Sequence, residues 1–246
     1  MRARLLDLGE VGPVRSQSAF HAVLAGIGAD DDPFVFLLRP AAPFVSIGDS
    51  PTPARGRAHD PVGEIDLEAC LDQGIPLVWC RIGGAPEILD ENDLLIQVVI
   101  PIDKTSSEAV AVAPVPALET LAGLGVAAES RHDGSLETDA GRIGHVQAAV
   151  IDSALCVTYS LTWRQRSSAL PARSSSSLEA QMEEPLPLPD LAERLLVALE
   201  RHFSLDLFPS LPTPGELEAI YDWDRRLLIE TVEEASIKRP VMASQQ

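Results

Sequence analysis

Residues Pro76–Pro101, PLVWCRIGGAPEILDENDLLIQVVIP, constrain this chain more than any other stretch. A short apolar run (Leu77, Val78, Trp79) breaks at Gly83-Gly84, crosses the acidic turn Asp90, Glu91, Asn92, Asp93, and resumes as Leu94–Ile100. Apolar runs of this length bounded by turn residues spell strand, glycine turn, strand. A glycine pair lets the backbone approach a ligand closely, and the nearby Arg81 can offer planar donors to a carboxylate or phosphate. A plain turn needs the same glycines, so both readings stay open.

The rest of the chain predicts elements of both kinds. Arg2–Leu8 reads as a first strand. Ser16 or Ser18 is placed to cap a helix running to about Leu24, with Ala19, Phe20, Val23 and Leu24 at helical spacing and Gly26 as its stop. Pro33–Arg39 and Phe44–Gly48 are two strands in succession, which suggests a hairpin. Asp49–Gly63, rich in Pro, Gly, Arg and His, reads as an exposed loop, and Glu64–Gln73, stopped by Gly74, as a helix. Pro114–Leu124 predicts a helix ending at Gly125, and Glu129–Asp139 a loop or hairpin turn. The β-branched content of Gly141–Val150 and Ala154–Leu161 predicts paired strands joined at Asp152-Ser153. Arg164–Leu188, with serines at every position from Ser174 to Ser177 and prolines alternating with leucines after it, reads as a loop or crossing segment. Asp190–Phe203 is the clearest helix, with Leu191, Leu195, Leu196, Leu199 and Phe203 on one stripe. Pro214–Lys238 reads as one or two more.

Composition narrows the class. With 246 residues, 46% hydrophobic and 23% charged, the chain reads as soluble, globular and able to bury a sizeable core. No apolar run approaches the roughly 18 to 20 residues that span a bilayer, and the short, charged start Met1–Glu10 is unlike a signal peptide. The expected location is the cytoplasm, with no membrane partner. The formal charge of −18, from 37 acidic against 19 basic residues, repels phosphate backbones and argues against nucleic acid as a partner. Cys70, Cys80 and Cys156 are odd in number and lack CxxC spacing, so neither a disulfide framework nor a zinc site is expected. Five scattered histidines lack ligand spacing, and no metal is expected. The phosphate-loop, dinucleotide, zinc-protease and nucleophile-elbow signatures are all missing. Asp90, Glu91 and Asp93 suit either a general base or a solvated turn.

Taken together, the order of pieces resembles the lipoate-protein ligase and octanoyltransferase family of the biotin/lipoate attachment superfamily, over roughly Arg4–Leu217. FVSIG (Phe44–Gly48) is similar to the family's V-x-I-G strand. EIDLEACLDQGIPLVWCRIGG (Glu64–Gly84) is similar to its E-V-N, helix, G-I-P-V-x-R-R-x-S-G-G-G segment. DENDL (Asp90–Leu94) falls where the family has its H-D-x-G-N-L turn. DAGRIGHVQ (Asp139–Gln147) is similar to D-G-R-K-I-x-G-x-A-Q, and ALCVTYSL (Ala154–Leu161) occupies the place of the L-H-H-G-T-L strand.

The resemblance implies an α/β (α+β) fold, a mixed sheet flanked by helices in a single ligase-like domain over residues 1–246. A flexible Ser/Pro-rich segment would lie near 164–189 and helices from 190 to 238. It implies attachment of lipoyl or octanoyl groups to a lysine of a lipoyl carrier domain, with lipoate or octanoate, its acyl-adenylate and ATP as ligands. The alternative is a degenerate relative that binds an acyl group or a protein partner without turnover. Gly83 and Gly84 match the first two family glycines, while Trp79 and Cys80 stand at its two arginines and Arg81 one place later. Ala85 replaces the third glycine and Leu89 a histidine. Arg142, after Gly141, offers the only charge where the family lysine holds the acyl carbonyl, and Cys156 stands at a strand histidine. The implied catalytic residue is therefore Arg142, and the implied substrate contacts are Arg81, Gly83, Gly84, Gly141, Cys80 and Cys156. Some octanoyltransferases of the family form a cysteine thioester, and a thiolate at Cys80 or Cys156 beside Arg81 would have a lowered pKa.

Overall fold

The structure, a computed structural model, describes residues 1–48, 65–82, 86–101, 106–166, 176–184 and 186–229. In chain order its elements are β1 (Arg2–Val11), α1 (Arg15–Gly26), β2 (Phe34–Pro40), β3 (Phe44–Gly48), α2 (Leu67–Asp72), β4 (Leu77–Cys80), β5 (Glu87–Leu89), β6 (Asp93–Pro101), α3 (Ser106–Val112) and α4 (Val115–Gly123). There follow β7 (Glu129–Ser130), β8 (Ser135–Thr138), β9 (Gly141–Ile151), β10 (Ala154–Thr162), α5 (Leu178–Gln181), α6 (Leu188–Phe203), β11 (Asp206–Pro209), α7 (Pro214–Asp224) and β12 (Leu228–Ile229). An eight-stranded mixed sheet runs β11-β1-β2-β6-β10-β9-β8-β7, and a four-stranded sheet runs β12-β4-β3-β5.

The large sheet is built around β6 and β10, antiparallel from Ala154↔Pro101 to Thr162↔Asp93. Every residue of β10 is buried, so both of its faces meet protein and alternation assigns each side chain to one of two cores. Val98, Val157, Tyr159 and Leu161 join Ala117, Leu121, Leu191, Leu195 and Leu199 in a core under α4 and α6. Phe36, Leu95, Val99 and Cys156 join Phe20 and Val23 of α1, Ile220 of α7, and Phe44, Val78, Cys80 and Leu89 of the small sheet. The small sheet's other side (Val45, Ile47, Leu77, Ile88) packs with Leu67 and Cys70 of α2. Four layers result: α4 and α6, the large sheet, α1 and α7 beside the small sheet, and α2.

The C-terminal helices are woven into this body. β11 adds in parallel to β1 from Arg2↔Asp206, and β12 adds antiparallel to β4. Arg4 pairs with Glu216 at 2.5 Å, and Asp224 takes Arg15 and the Ser18 hydroxyl, each at 2.5 Å, fixing α7 over β1 and α1.

Two local expectations, a hairpin and a helix cap, are corrected. β2 and β3 form no hairpin: β2 lies between β1 and β6, whereas β3 lies between β4 and β5. Pro40 has no N–H to offer a returning strand, and the chain leaves one sheet there for the other. The two apolar runs of Pro76–Pro101, β4 and β6, also sit in different sheets, with β5 between them in sequence. Neither Ser16 nor Ser18 caps α1, whose cap residue is Val14; Ser16 Oγ donates to Pro13 O at 2.5 Å. The exposed loop expected at 49–63 and, within the serine-rich segment, residues 167–175 and 185 lie outside the described residues.

Candidate functional site

The face of the large sheet that meets α1 and the small sheet carries a concentration of buried polar side chains. Cross-strand pairing sets them in rows. Thr158 of β10 lies opposite Gln97 of β6 and Gln147 of β9. In the next row Ser160 lies opposite Leu95 and His145, and in the last Thr162 lies opposite Asp93. All of these are at most 6% exposed. Gln17 of α1 comes down on the first row, its Oε1 accepting from Gln97 Nε2 at 3.4 Å.

Two charged pairs bound the rows. Ser160 Oγ donates to Glu87 Oε1 at 2.5 Å, and Glu87 Oε2 stands 3.5 Å from His145 Nδ1, whose Nε2 meets Asp133 O at 2.7 Å. Burial opposes charge on both groups, but their mutual attraction wins: His145 is raised and Glu87 lowered from ordinary values. Arg166 grips Asp93 with two bonds at 2.7 and 3.0 Å, and the Asp90 N–H adds a third at 2.8 Å. Burial raises Asp93 against these donors, while Arg166, resisting its own burial, is held the more firmly protonated by Asp93. With contacts this complete we take the pair as ionised at neutral pH. Asp90, desolvated and beside Asp93, is pushed up to about 6.

Arg142 reaches this face through a backbone irregularity. It lies an odd number of residues from Gln147, so strict alternation would turn it towards the apolar core. β9, however, carries one residue more than β8 here: Leu136 pairs with Gly144 and Glu137 with Arg142. The bulged Ile143 drops into the core under α4 and α6, which returns Arg142 to the polar side. Consistently, the Arg142 charge works against protonation of His145. Gly144 is obligatory, because a Cβ there would come 2.3 Å from Ser160 O. Gly141 has φ +116° at the turn into β9, a conformation that favours glycine whatever binds nearby.

The structure brings some of the implied residues together and separates others. Cys80 and Cys156 share one core with Phe20 and Val99, and the charge of Arg81 is felt at Cys156. The Arg81 guanidinium pairs with Asp152 at 3.3 Å, and the Arg81 backbone N–H donates to His21 Nε2 at 2.9 Å. Residues 142 and 152 are ten apart on and just beyond β9, about 30 Å of extended chain. Arg81 and Arg142 thus serve opposite ends of the strand. Gly83 and Gly84 lie outside the described residues.

The expected low-pKa thiolate is corrected. Cys80 is 1% exposed and Cys156 wholly buried, and burial pushes both thiols up to about 12, outweighing Arg81 at Cys156. Thiols so placed are not nucleophiles at neutral pH. Motif reading also missed Gln17, His21, Gln97, His145 and Thr158. The signal was present as lone polar residues inside apolar runs, Gln97 in LLIQVVI and Thr158 in CVTYSL.

No family model matches the chain, and no curated protein matches it in sequence. Solved structures do match. One, from Thermoplasma acidophilum, is described as a bi-partite lipoate protein ligase and its E2 lipoyl domain; the likeness covers 98% of this chain and 99% of that one at 16% identity, with a TM-score of 0.77. This chain has the lipoate-protein ligase fold. A second match, the T. acidophilum protein Ta0514 with bound lipoic acid, covers 92% and 96% of the two chains at 17% identity and a TM-score of 0.75. A third, lipoate-protein ligase A bound with ATP, covers 92% and 95% at 16% identity and a TM-score of 0.73. Against that fold the most consequential feature of this chain is its lysine content: the whole sequence holds only Lys104 and Lys238, and neither lies among the described residues. The strand that carries Arg142 presents no lysine. Among the described residues no helix is long and apolar enough to cross a membrane.

Proposed function

We propose that the polar face holds a lipoyl or octanoyl group, with Arg142 at its carboxylate or adenylate end, and that the protein transfers this group to a lysine of a lipoyl carrier domain in the cytoplasm. The observation that carries the reading is the placement of Arg142 on the polar face by the β9 bulge, in a fold whose solved relatives hold lipoic acid and ATP. A guanidinium is planar and permanently charged, suited to gripping both oxygens of a carboxylate. In transfer it would stabilise charge developing on the acyl oxygen, and losing one such donor costs about 100- to 1,000-fold in rate. Turnover would need ATP to form the acyl-adenylate, or a carrier to deliver the acyl group as a thioester. Cys80 and Cys156 have no covalent part in this scheme.

A second reading, binding without turnover, is favoured by the same arginine, because a fork of donors in place of a point charge displaces the reacting carbonyl and misplacement of about 1 Å can cost about 100-fold. One assay separates the two. Protein and an apo lipoyl domain are incubated with lipoate or octanoate plus ATP, and in a parallel arm with octanoyl carrier protein, and the domain's intact mass is followed. We expect the wild type to add one acyl group and Arg142→Ala to lose at least about 100-fold in rate with its thermal midpoint kept. Acid binding without any mass gain would select the binding-only reading. Undiminished transfer by Arg142→Ala would place the site elsewhere.

A further inference from the structure

The row Gln97–Thr158–Gln147 is out of character for a face that receives a plain hydrocarbon tail. Gln97 Oε1 and Thr158 Oγ1 are both buried and have no hydrogen-bond partner among the described residues. They belong to directly opposed residues of β6 and β10, whose Cβ atoms in such pairs stand about 5 Å apart. Above them Gln17, 1% exposed, reaches Gln97 only through one long contact of 3.4 Å. Whichever way the Gln97 amide is turned, one of its ends stays unpaired. Buried polar groups are nearly always satisfied, so an acceptor and a hydroxyl left open side by side mark hydrogen bonds that something else completes.

We infer that the acyl group taken by this site ends in a neutral amide at the tip remote from its carboxylate. The inference rests on the acyl-binding reading proposed above and names the substrate class for it. An amide N–H satisfies the Gln97 oxygen while the amide C=O accepts from the Thr158 hydroxyl, so one planar group closes both vacancies. A charged tip does not fit, because the charges nearby are already matched: Glu87 with His145, and Asp93 with Arg166. The length suits a medium chain. Residues 142 and 147 are five apart on β9, about 16 Å of strand, to be spanned by a guanidinium, a carboxylate, the methylenes and the tip.

The test is a matched pair of acids, octanoate and 8-amino-8-oxooctanoate, which share six methylenes and differ at the tip. Calorimetry on the full-length protein should give at least about 10-fold tighter binding of the amide acid. Thr158→Val, which keeps shape and removes the hydroxyl, and Gln97→Leu should each shrink or invert that preference, octanoate gaining. Because Gln97→Leu can unsettle the fold, Thr158→Val alone decides the point if the leucine variant is unstable. Equal or tighter binding of octanoate by the wild type overturns the amide assignment while leaving acyl binding standing. So does an unchanged preference in Thr158→Val. An ordered water bridging Gln97 and Thr158 that persists with the amide acid bound overturns it as well. Failure of both acids and of lipoate to bind removes the acyl-binding reading, and the inference with it.

Discussion

On β10, Leu155, Val157, Tyr159 and Leu161 face the core under α4 and α6, while Cys156, Thr158, Ser160 and Thr162 face α1 and the small sheet. The two sets are interleaved residue by residue and equally buried. On the first face hydroxyls are rare: Tyr159 donates to Ala113 O at 2.8 Å, and aliphatic side chains do the rest. On the second, an amide row, a Ser–Glu–His cluster and an Asp–Arg pair occupy the interior, and four buried side-chain atoms, Gln97 Oε1, Thr158 Oγ1, Thr162 Oγ1 and Trp79 Nε1, have no partner among the described residues. Burial alone therefore does not tell a packing face from a binding face. The unspent hydrogen-bonding capacity is what separates the two faces, and it is the ground on which we propose ligand binding at the second.

The sharpest way to break this comparison is at Asp93. Arg166→Ala leaves that carboxylate buried without its partner, and we expect a loss of about 3 to 5 kcal/mol in urea unfolding. A loss under about 1 kcal/mol would mean that the pair is solvated and does not bound the polar face. On the opposite face Leu195→Ala, from a wholly buried position of α6, should cost about 2 to 5 kcal/mol by transfer and cavity terms. The acid affinities should stay as they were; a shifted affinity would couple the faces that the comparison separates.

The histidines sharpen it through pH. His21, buried with Nδ1 donating to Gln17 O at 2.7 Å and Nε2 accepting from Arg81, is lowered to about 4 by desolvation. Between its unfolded value near 6.5 and 4 the unfolded chain binds the extra proton, so stability falls as pH drops through that window, by on the order of 3 kcal/mol in all. His145 is raised. Its contribution is complete below the unfolded value near 6.5 and is lost as pH rises through the higher folded value. Unfolding of wild type, His21→Gln and His145→Gln across pH 4 to 8 should show the acid-side loss removed in the first variant and the alkaline-side loss in the second. Asp90, raised to about 6, is common to all three and drops out of the differences. Parallel wild-type and variant curves would contradict the assigned protonation states.

Most of the strands and long helices were legible in the sequence, since the β9–β10 hairpin and α6 carry strong local patterns. Sheet membership was not. Whether two successive strands pair or part company depends on which partners each finds far along the chain, so FVSIG read as the return strand of a hairpin it does not form. The face of Arg142 was hidden by a bulge that appears only once β8 and β9 are paired. The thiols misled because the proximity of Cys80 to Arg81 is visible in sequence and desolvation is not. Gln97 and Thr158 stood out as polar residues in apolar runs, but in strands buried on both faces alternation no longer separates inside from outside, and their alignment in one row needed the register.

The smallest stability effect belongs to Tyr159→Phe, which strands the Ala113 carbonyl and should cost about 1 to 3 kcal/mol. It also supplies the control for the central claim, that ligand recognition belongs to one face of the large sheet. Thr158 and Tyr159 are adjacent on β10 and point to opposite sides, so the decisive measurement is acid affinity, by calorimetry with octanoate and 8-amino-8-oxooctanoate, in Thr158→Leu and Tyr159→Phe side by side. The account predicts that Thr158→Leu abolishes binding of the amide acid while Tyr159→Phe, though less stable, binds both acids as the wild type does. Weakened binding in Tyr159→Phe with wild-type binding in Thr158→Leu would contradict it.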